Sequence, residues 1–415
     1  MFTSILRIKI NNIRGVNIME LKLDVFQTMA LATFVFYFGN YLRRKINILD
    51  RYCIPGAVVG GMFFSIIVLI LKMTNILTIT LDTTLQPILM TIFFTSIGYT
   101  ASLKVLKSGG KKVLIFLIVS VALVVFQDLI GVFLAKAFNI HPLLGLATGS
   151  IPLVGGHGTS GSFGPLLEEV GVKAATTVSF ASATFGLIMG SVLGGFIAEV
   201  LIEKNKIDVS KNVSKESFNE SIESDKNSKI NYNTLIKATS LIFITMGIGS
   251  ILTNYIQGLG LTFPSYIGSM IVAAVIKNIM DFKNYRIEDE SIEIIGNISL
   301  VFYLSLALMG LKLWELFDLA LPMIIMLISQ TILMAIFAYY IIFKIMGKGY
   351  EAAVFSSAIC GFGMGSTANS IANMDALTSK YGFVKTPYIV VPIVGGLFID
   401  FINSGVITLF INIFK

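Results

Sequence analysis

Two short stretches of the chain carry residue types that could hold a small charged molecule. One is Gly155-Gly156-His157-Gly158-Thr159-Ser160-Gly161-Ser162; the other is Gly361-Phe362-Gly363-Met364-Gly365-Ser366-Thr367, with Asn369 just beyond. Glycine lets a chain turn sharply and lets its backbone approach a ligand closely. A helix that restarts after such a turn presents free N–H groups and a partial positive charge, which suits a carboxylate. The carbonyls freed at the same break suit a hard cation such as Na+. Candidate substrate contacts are therefore Gly156, His157, Gly158, Thr159, Ser160 and Ser162 in the first stretch, and Gly363, Gly365, Ser366, Thr367 and Asn369 in the second. His157 reads first as a hydrogen-bonded spacer and second as a direct contact. Neither stretch holds a Lys or Arg, so an anion there must be held by backbone N–H groups, hydroxyls and helix ends.

Ionisable groups inside apolar segments are the other source of chemistry, because a buried carboxylate in a membrane is costly and usually functional. Asp400 lies in FIDFINSG with Asn403 one helical turn on. These two, with Asn297 and Ser150, are the candidate Na+ ligands, all offering oxygen. Gln127, Asp128 and Gln330 also lie in apolar segments and read at least as well as interhelical hydrogen-bonding groups. Nothing in the sequence matches a nucleotide-binding loop, a selectivity filter, a voltage sensor or a metal-enzyme spacing. No cofactor is expected beyond a co-transported Na+.

The elements that must position these residues follow from composition. Of 415 residues, 55% are hydrophobic and 13% charged, against about 25% charged in soluble domains. Segments 52–71, 83–103, 174–198 and 238–276 are free of charge, and about 20 apolar residues of helix cross a hydrocarbon core. A soluble enzyme and a nucleic-acid binder are excluded despite the net charge of +7; so is a disulfide scaffold, since Cys53 and Cys360 are the only cysteines. An outer-membrane barrel would show short alternating strands. The expected fold is an all-α polytopic membrane protein. Its ten spans lie near 24–42, 52–72, 83–103, 112–135, 174–201, 236–256, 263–280, 293–312, 319–344 and 386–412. Segments 141–167 and 350–374, which contain the two Gly-rich stretches, read as re-entrant hairpins, where irregular backbone is tolerated because it lines a cavity.

The halves resemble each other. Gly156-His157-Gly158-Thr159 aligns with Gly363-Met364-Gly365-Ser366 at an offset of 207 positions, Lys104 aligns with Lys312 at 208, and Gly194-Gly195 matches Gly395-Gly396. Each half has an odd number of spans, so the second enters the membrane from the opposite side: an inverted repeat of the kind that places binding sites at the midplane of secondary transporters. The expected division is a tail at 1–22, a first repeat at 23–202, a polar, disordered linker at 203–234 and a second repeat at 235–415. Loops on one side, including the linker, collect 22 of the 31 Lys and Arg residues. That side is cytoplasmic, and both termini are outside. Arg7, Lys9, Arg14 and Lys22 oppose this, and read best as part of an upstream extension with Met19 the effective start. A cleaved signal peptide is not expected, because residues 1–20 lack an apolar core and a small-residue cleavage site.

The segments SIPLVGGHGTSGSFGP (150–165), GNISLVFYL (296–304), LALMGLKLWELFDLALPM (306–323), CGFGMGSTANSIANM (360–374) and VVPIVGGLFIDFIN (390–403) resemble the bacterial sodium/glutamate symporter family. The likeness runs from about Met19 to the C-terminus. It departs in the tail 1–18, in Ser160-Gly161-Ser162 where the family is often Ala-rich, and in Ser366–Asn369, which replaces a Pro-containing version. The resemblance implies ten spans, two re-entrant hairpins, a cytoplasmic middle loop and a homodimer among membrane lipids. It also implies sodium-coupled uptake of L-glutamate across the bacterial inner membrane by alternating access, one hairpin unit moving against a fixed scaffold. Other readings are a Na+-coupled 2-hydroxycarboxylate or citrate carrier, a membrane-embedded enzyme using Asp128 and Asp400, and an ion channel.

Overall fold

The computed structural model describes residues 8–13, 16–207, 230–285 and 288–415, with side chains from residue 19 onward. Among the described residues, seven stretches of helix are long and apolar enough to cross a membrane: Gly56–Met73, Gly110–Ala137, Ala175–Lys204, Tyr232–Gly258, Asp289–Met309, Leu313–Ile345 and Lys385–Phe414. The protein is thus a multi-pass, predominantly helical membrane protein. The other three expected spans are also helices, Val25–Lys45, Gln86–Thr100 and Ile267–Phe282. The last two have 15 and 16 residues, about 22–24 Å of helix, short of a hydrocarbon core of about 30 Å. Gly98 of the first lies against the Met270 carbonyl and Ala273 of the second, so each has protein rather than lipid on one side.

We label the main helices α1 (Val25–Lys45), α2 (Gly56–Met73), α3 (Gln86–Thr100), α4 (Gly110–Ala137), α5 (Gly156–Glu169), α6 (Ala175–Lys204), α7 (Tyr232–Gly258), α8 (Ile267–Phe282), α9 (Asp289–Met309), α10 (Ala320–Ile336), α11 (Tyr350–Met364), α12 (Thr367–Tyr381), α13 (Lys385–Pro392) and α14 (Ile399–Phe414). Local sequence fixes several starts. Asp24 and Gln27 cap α1 reciprocally, at 2.9 and 3.1 Å, and Asn231 with Thr234 does the same for α7. Such a box satisfies two otherwise orphaned N–H groups. Two π-helical turns, Phe337–Ile342 after α10 and Ile393–Phe398 between α13 and α14, leave local carbonyls free of the regular ladder.

The helices pack into two bodies. One, the scaffold, unites α1, α2, α3, α7, α8 and α9. Its close approaches use small residues, which let membrane helices touch backbone to backbone: Gly60 of α2 on the Val35 carbonyl of α1, Gly268 of α8 on the Gly249 carbonyl of α7. Lys277 of α8, 8% exposed, pairs bidentately with Asp289 of α9 at 2.8 Å. The other, the core body, unites α4, α6, α10, the final helix and both Gly-rich segments. One apolar cluster, with Phe116, Leu201, Phe337, Phe355 and Val391, runs through its second-segment side, while another joins the first segment, through Phe163 and Leu167, to Phe94, Met270 and Tyr303 of the scaffold. Each body therefore draws helices from both halves of the chain.

Beside the helices that dominate the fold, β1 (Ile8–Ile13), β2 (Val16–Lys22) and β3 (Leu77–Thr80) form a small sheet. β2 runs antiparallel to β1 and parallel to β3, with Met19 opposite Leu77 and Lys22 opposite Thr80. Residues 16–22, expected as part of a tail, are thus tied to the connection between α2 and α3. Most of the expected linker, 208–229, lies outside the described residues.

Candidate functional site

Both Gly-rich segments contain a helix break, but only part of each Gly run makes it. In the first, a 3-10 turn (Pro142–Thr148) and a short helix (Ser150–Leu153) lead to a break at Val154-Gly155, after which α5 starts at Gly156. Gly156 has φ +60°, the left-handed region where a Cβ is costly. In the second, Gly361 and Gly363 lie inside α11 and the break falls at Gly365-Ser366. Gly361 packs on Ser370 and Gly363 on Met334 and Leu123. Their lack of a side chain serves close packing rather than a turn. α11 and α12 fold back on each other: Ser370 donates to the Ala358 carbonyl at 2.7 Å, Asn373 to Ser357 at 3.3 Å and Tyr350 to Gly382 at 2.7 Å. The residue pairing rises on one arm as it falls on the other, so the arms are antiparallel. α12 continues to Tyr381, past the boundary of 374 expected from sequence.

The two breaks meet. A Cβ built on Gly156 lies 3.2 Å from the Gly365 carbonyl oxygen. Both α5 and α12 therefore start at one place. Ser366 caps α12 by accepting from the Asn369 N–H at 3.2 Å, whereas among the described residues no side chain caps α5. Partly open at this junction are Gly155, Gly156, Gly158, Ser366 and Thr367, with Ala368 exposed beside them.

The remaining predicted contacts are buried and largely committed to the frame. His157 shares a 3.1 Å hydrogen bond with Thr184 of α6, in line with the spacer reading. Ser160 donates to the Gly156 carbonyl at 2.7 Å and Ser162 to Thr159 at 3.0 Å; Thr159 lies beside Gly155. Asn369 donates to the Leu187 carbonyl of α6 at 2.8 Å, leaving its Oδ1 without a partner among the described residues. Thr367 donates to the Gly395 carbonyl at 2.7 Å, an oxygen of the π turn that leads into α14.

Of the proposed Na+ ligands, Ser150 and Asn403 come together: the Asn403 Nδ2 donates to the Ser150 carbonyl at 3.2 Å. Asp400, partly open and close to Tyr266 at the start of α8, shares no described hydrogen bond with that pair. Asn297 is exposed on α9, and no described hydrogen bond links it to the others. Four residues that the sequence left undecided or unmarked prove central. Gln127 of α4 donates to the Gly363 carbonyl of α11 at 2.8 Å, and its neighbour Asp128 accepts from the Ser150 N–H at 2.8 Å and hydroxyl at 2.9 Å. One helix thus holds both Gly-rich segments through consecutive residues. From the scaffold, Tyr303 donates to the Gly158 carbonyl at 2.9 Å, and the Tyr266 hydroxyl lies within 3.5 Å of Ser162. A cavity of about 220 Å³ lined by Gln86, Ser162, Glu169 and Gln257 opens at this second contact, between the bodies.

The arrangement offers two converging helix starts for an anion, unpartnered amide oxygens for a cation, and a seam between two bodies. Sequence comparison decides the family. The sodium/glutamate symporter family profile matches residues 21–383. The chain belongs to the sodium/glutamate symporter family. It is similar to the sodium/glutamate symporter of Escherichia coli (strain K12), 38% identical over 393 residues that span 94% of this chain and 98% of that protein. It is likewise similar to the sodium/glutamate symporter of Haemophilus influenzae, 35% identical over 94% of this chain and 97% of that protein. Family members of this description are transporters rather than enzymes, which removes Asp128 and Asp400 as catalytic acids.

Proposed function

We propose that the protein imports L-glutamate together with Na+ across the bacterial inner membrane, by alternating access at the junction of its two helix breaks. The single observation that carries this reading is the meeting of Gly156 and Gly365, where two helices begin at one point. Glutamate carries a net negative charge and enters against an inside-negative potential, at about 2.3 kcal/mol per charge per 100 mV. One Na+ offsets that electrical cost, and any further Na+ drives accumulation. Backbone N–H groups at Gly156 and Gly158, with the Ser366 hydroxyl, are the open groups suited to the substrate carboxylates, while Thr367 is held on the Gly395 carbonyl beside them. The buried Thr159, Ser160, Ser162 and Asn369 shape the frame behind them. Asp400, one turn after the open Gly396 beside Thr367, borders the same junction and suits an ion or the substrate ammonium.

In this reading the core body, carrying both Gly-rich hairpins, moves against the scaffold. The linker is cytoplasmic, both termini are outside, and a second copy of the chain pairs within the lipid bilayer. The positive-inside distribution supports the orientation; the pairing of β2 with β3 agrees with it, because two spans separate these strands and return the chain to its starting side.

Labelled L-glutamate uptake by proteoliposomes tests the reading. We expect uptake that rises steeply with an inward Na+ gradient and is competed by L-glutamate rather than citrate; uptake indifferent to Na+ overturns it. The seam has its own test. Tyr303→Phe removes one interbody hydrogen bond, worth about 1 kcal/mol, or about a fivefold shift in a two-state equilibrium. In a Cys53→Ala background, thiol labelling of Ala368→Cys should slow by roughly that factor, because the state that exposes Ala368 loses a contact.

A further inference from the structure

Asp128 is fully buried in α4, and among the described residues no cationic side chain pairs with it. Its carboxylate receives two hydrogen bonds, both from Ser150. Such a group needs more than two neutral donors to stay ionised away from water. Its surroundings add oxygen rather than hydrogen. A Cβ built on Gly149 lies 2.8 Å from Asp128 Oδ1, 3.1 Å from the Gly145 carbonyl and 3.2 Å from the Gln127 carbonyl. The missing side chain leaves a gap too tight for a methyl group, faced by three oxygens. One residue along, Asn403 is fully buried, its amide N anchored on the Ser150 carbonyl and its Oδ1 without a partner among the described residues. The Gly145 carbonyl accepts from the Thr148 hydroxyl at 3.1 Å and the Gln127 carbonyl from Gln330 at 2.7 Å, but each carbonyl keeps a second lone pair. An all-oxygen set with no cationic side chain among the described residues suits a hard cation.

We propose that Na+ binds at Asp128, in the gap left by Gly149, with the carbonyls of Gly145 and Gln127 as ligands and Asn403 adding an oxygen beside Ser150. The inference deepens the symport reading and rests on it. It moves the ion site's negative charge from Asp400 to Asp128 and draws its ligands from α4, the first hairpin and α14. The same geometry supplies a route for coupling. The Ser150 carbonyl also accepts from the Gly155 N–H at 3.1 Å, so an ion that fixes Ser150 fixes the turn at which α5 begins. Gln127, whose carbonyl faces the gap, reaches the second hairpin at Gly363. A cation here steadies both breaks before an anion arrives between them.

The test reads the Na+ concentration giving half-maximal effect, by glutamate uptake in proteoliposomes and by thermal stabilisation in detergent without glutamate, with NaCl exchanged for choline chloride at constant ionic strength. Gly149→Ala fills the gap and keeps the charge; Asp128→Asn keeps the shape and removes the charge. Each should raise the half-maximal Na+ concentration at least about tenfold, as loss of a supporting ligand does at metal sites, while Gly195→Ala, whose Cβ meets open space, leaves it unchanged. Should Asp128→Asn not fold, Gly149→Ala and Ser150→Ala decide by the same readings. Wild-type half-saturation in Gly149→Ala and in the carboxylate or hydroxyl variant overturns the site alone. A pH dependence abolished by Asp128→Asn with Na+ dependence intact also overturns it, naming a proton instead. Uptake by the unsubstituted chain that ignores Na+ removes the symport reading and the site together.

Discussion

Gly186→Val is expected to abolish glutamate uptake and to lower the thermal stability of the purified protein, whereas Gly195→Val, nine residues further along the same helix, is expected to leave both near wild type. The first side of α6 carries Gly186, Gly190 and Gly194, four residues apart and therefore on one face. Cβ atoms there meet the Met364 carbonyl, the Cys360 carbonyl and the Asn373 amide of the second hairpin. The contacts at 186 and 190 are to backbone, which cannot rotate aside. Overpacking of this kind costs about 1–3 kcal/mol where neighbours can adjust, and more where hydrogen bonds go with it. Separation of α6 from the hairpin also strains the bonds from Asn369 to Leu187 and from Asn373 to Gly190, at 2.8 and 3.1 Å. Gly195 has open space where a Cβ would stand, so it controls for helix propensity and expression. Equal behaviour of the two variants, in a thermal-shift assay and in uptake, would contradict the packing described.

Gln127→Leu is the second large effect. The helix α11 ends at Met364, so the Gly363 carbonyl has lost the N–H that a continuing helix would supply four residues on. The Gln127 Nε2 takes that place at 2.8 Å, while Gln330 of α10 donates to the Gln127 carbonyl at 2.7 Å. Leucine fills similar volume and donates nothing. Leaving a buried carbonyl unpaired costs about 1–3 kcal/mol, and the cost falls on the broken helix beside the junction proposed for the substrate. The expected result is a roughly tenfold or greater loss of uptake efficiency, since about 1.4 kcal/mol is a factor of ten. Gln127→Glu at acidic pH, where its neutral form can donate, should recover part of it. Kinetics unchanged in Gln127→Leu would show that the break is held by α6 and α12 alone.

Much of this was legible before any coordinates. The Gly-rich segments and the apolar spans follow from local composition and periodicity. Four things were not. The position of the second break was hidden because Gly361, Gly363 and Gly365 look alike in sequence, and only the neighbours Ser370, Met334 and Leu123 distinguish a packing glycine from a turning one. The weight of Gln127 and Asp128 was hidden because their main partners are backbone groups at 363 and 150, which carry no side-chain signature. The strand at 16–22 was hidden because VNIMELK is short and carries no sustained alternation, and its partner lies far along the chain at 77–80. The division into two bodies was equally invisible, since repeats are read along the chain and the bodies cut across them.

That interleaving bears on how the protein is made. The glycine face of α6 leaves the ribosome long before the hairpin it receives has been translated, and α1 and α2 emerge well before α9. Neither body can close until the last third of the chain is in the membrane. Until then the nascent first half holds buried-type polar groups, Gln127 and Asp128 among them, with part of their partners still to be synthesised. Such partly assembled states expose surface that invites wrong partners. A chain arrested after the linker is therefore expected to be a substrate for membrane quality control rather than half a transporter.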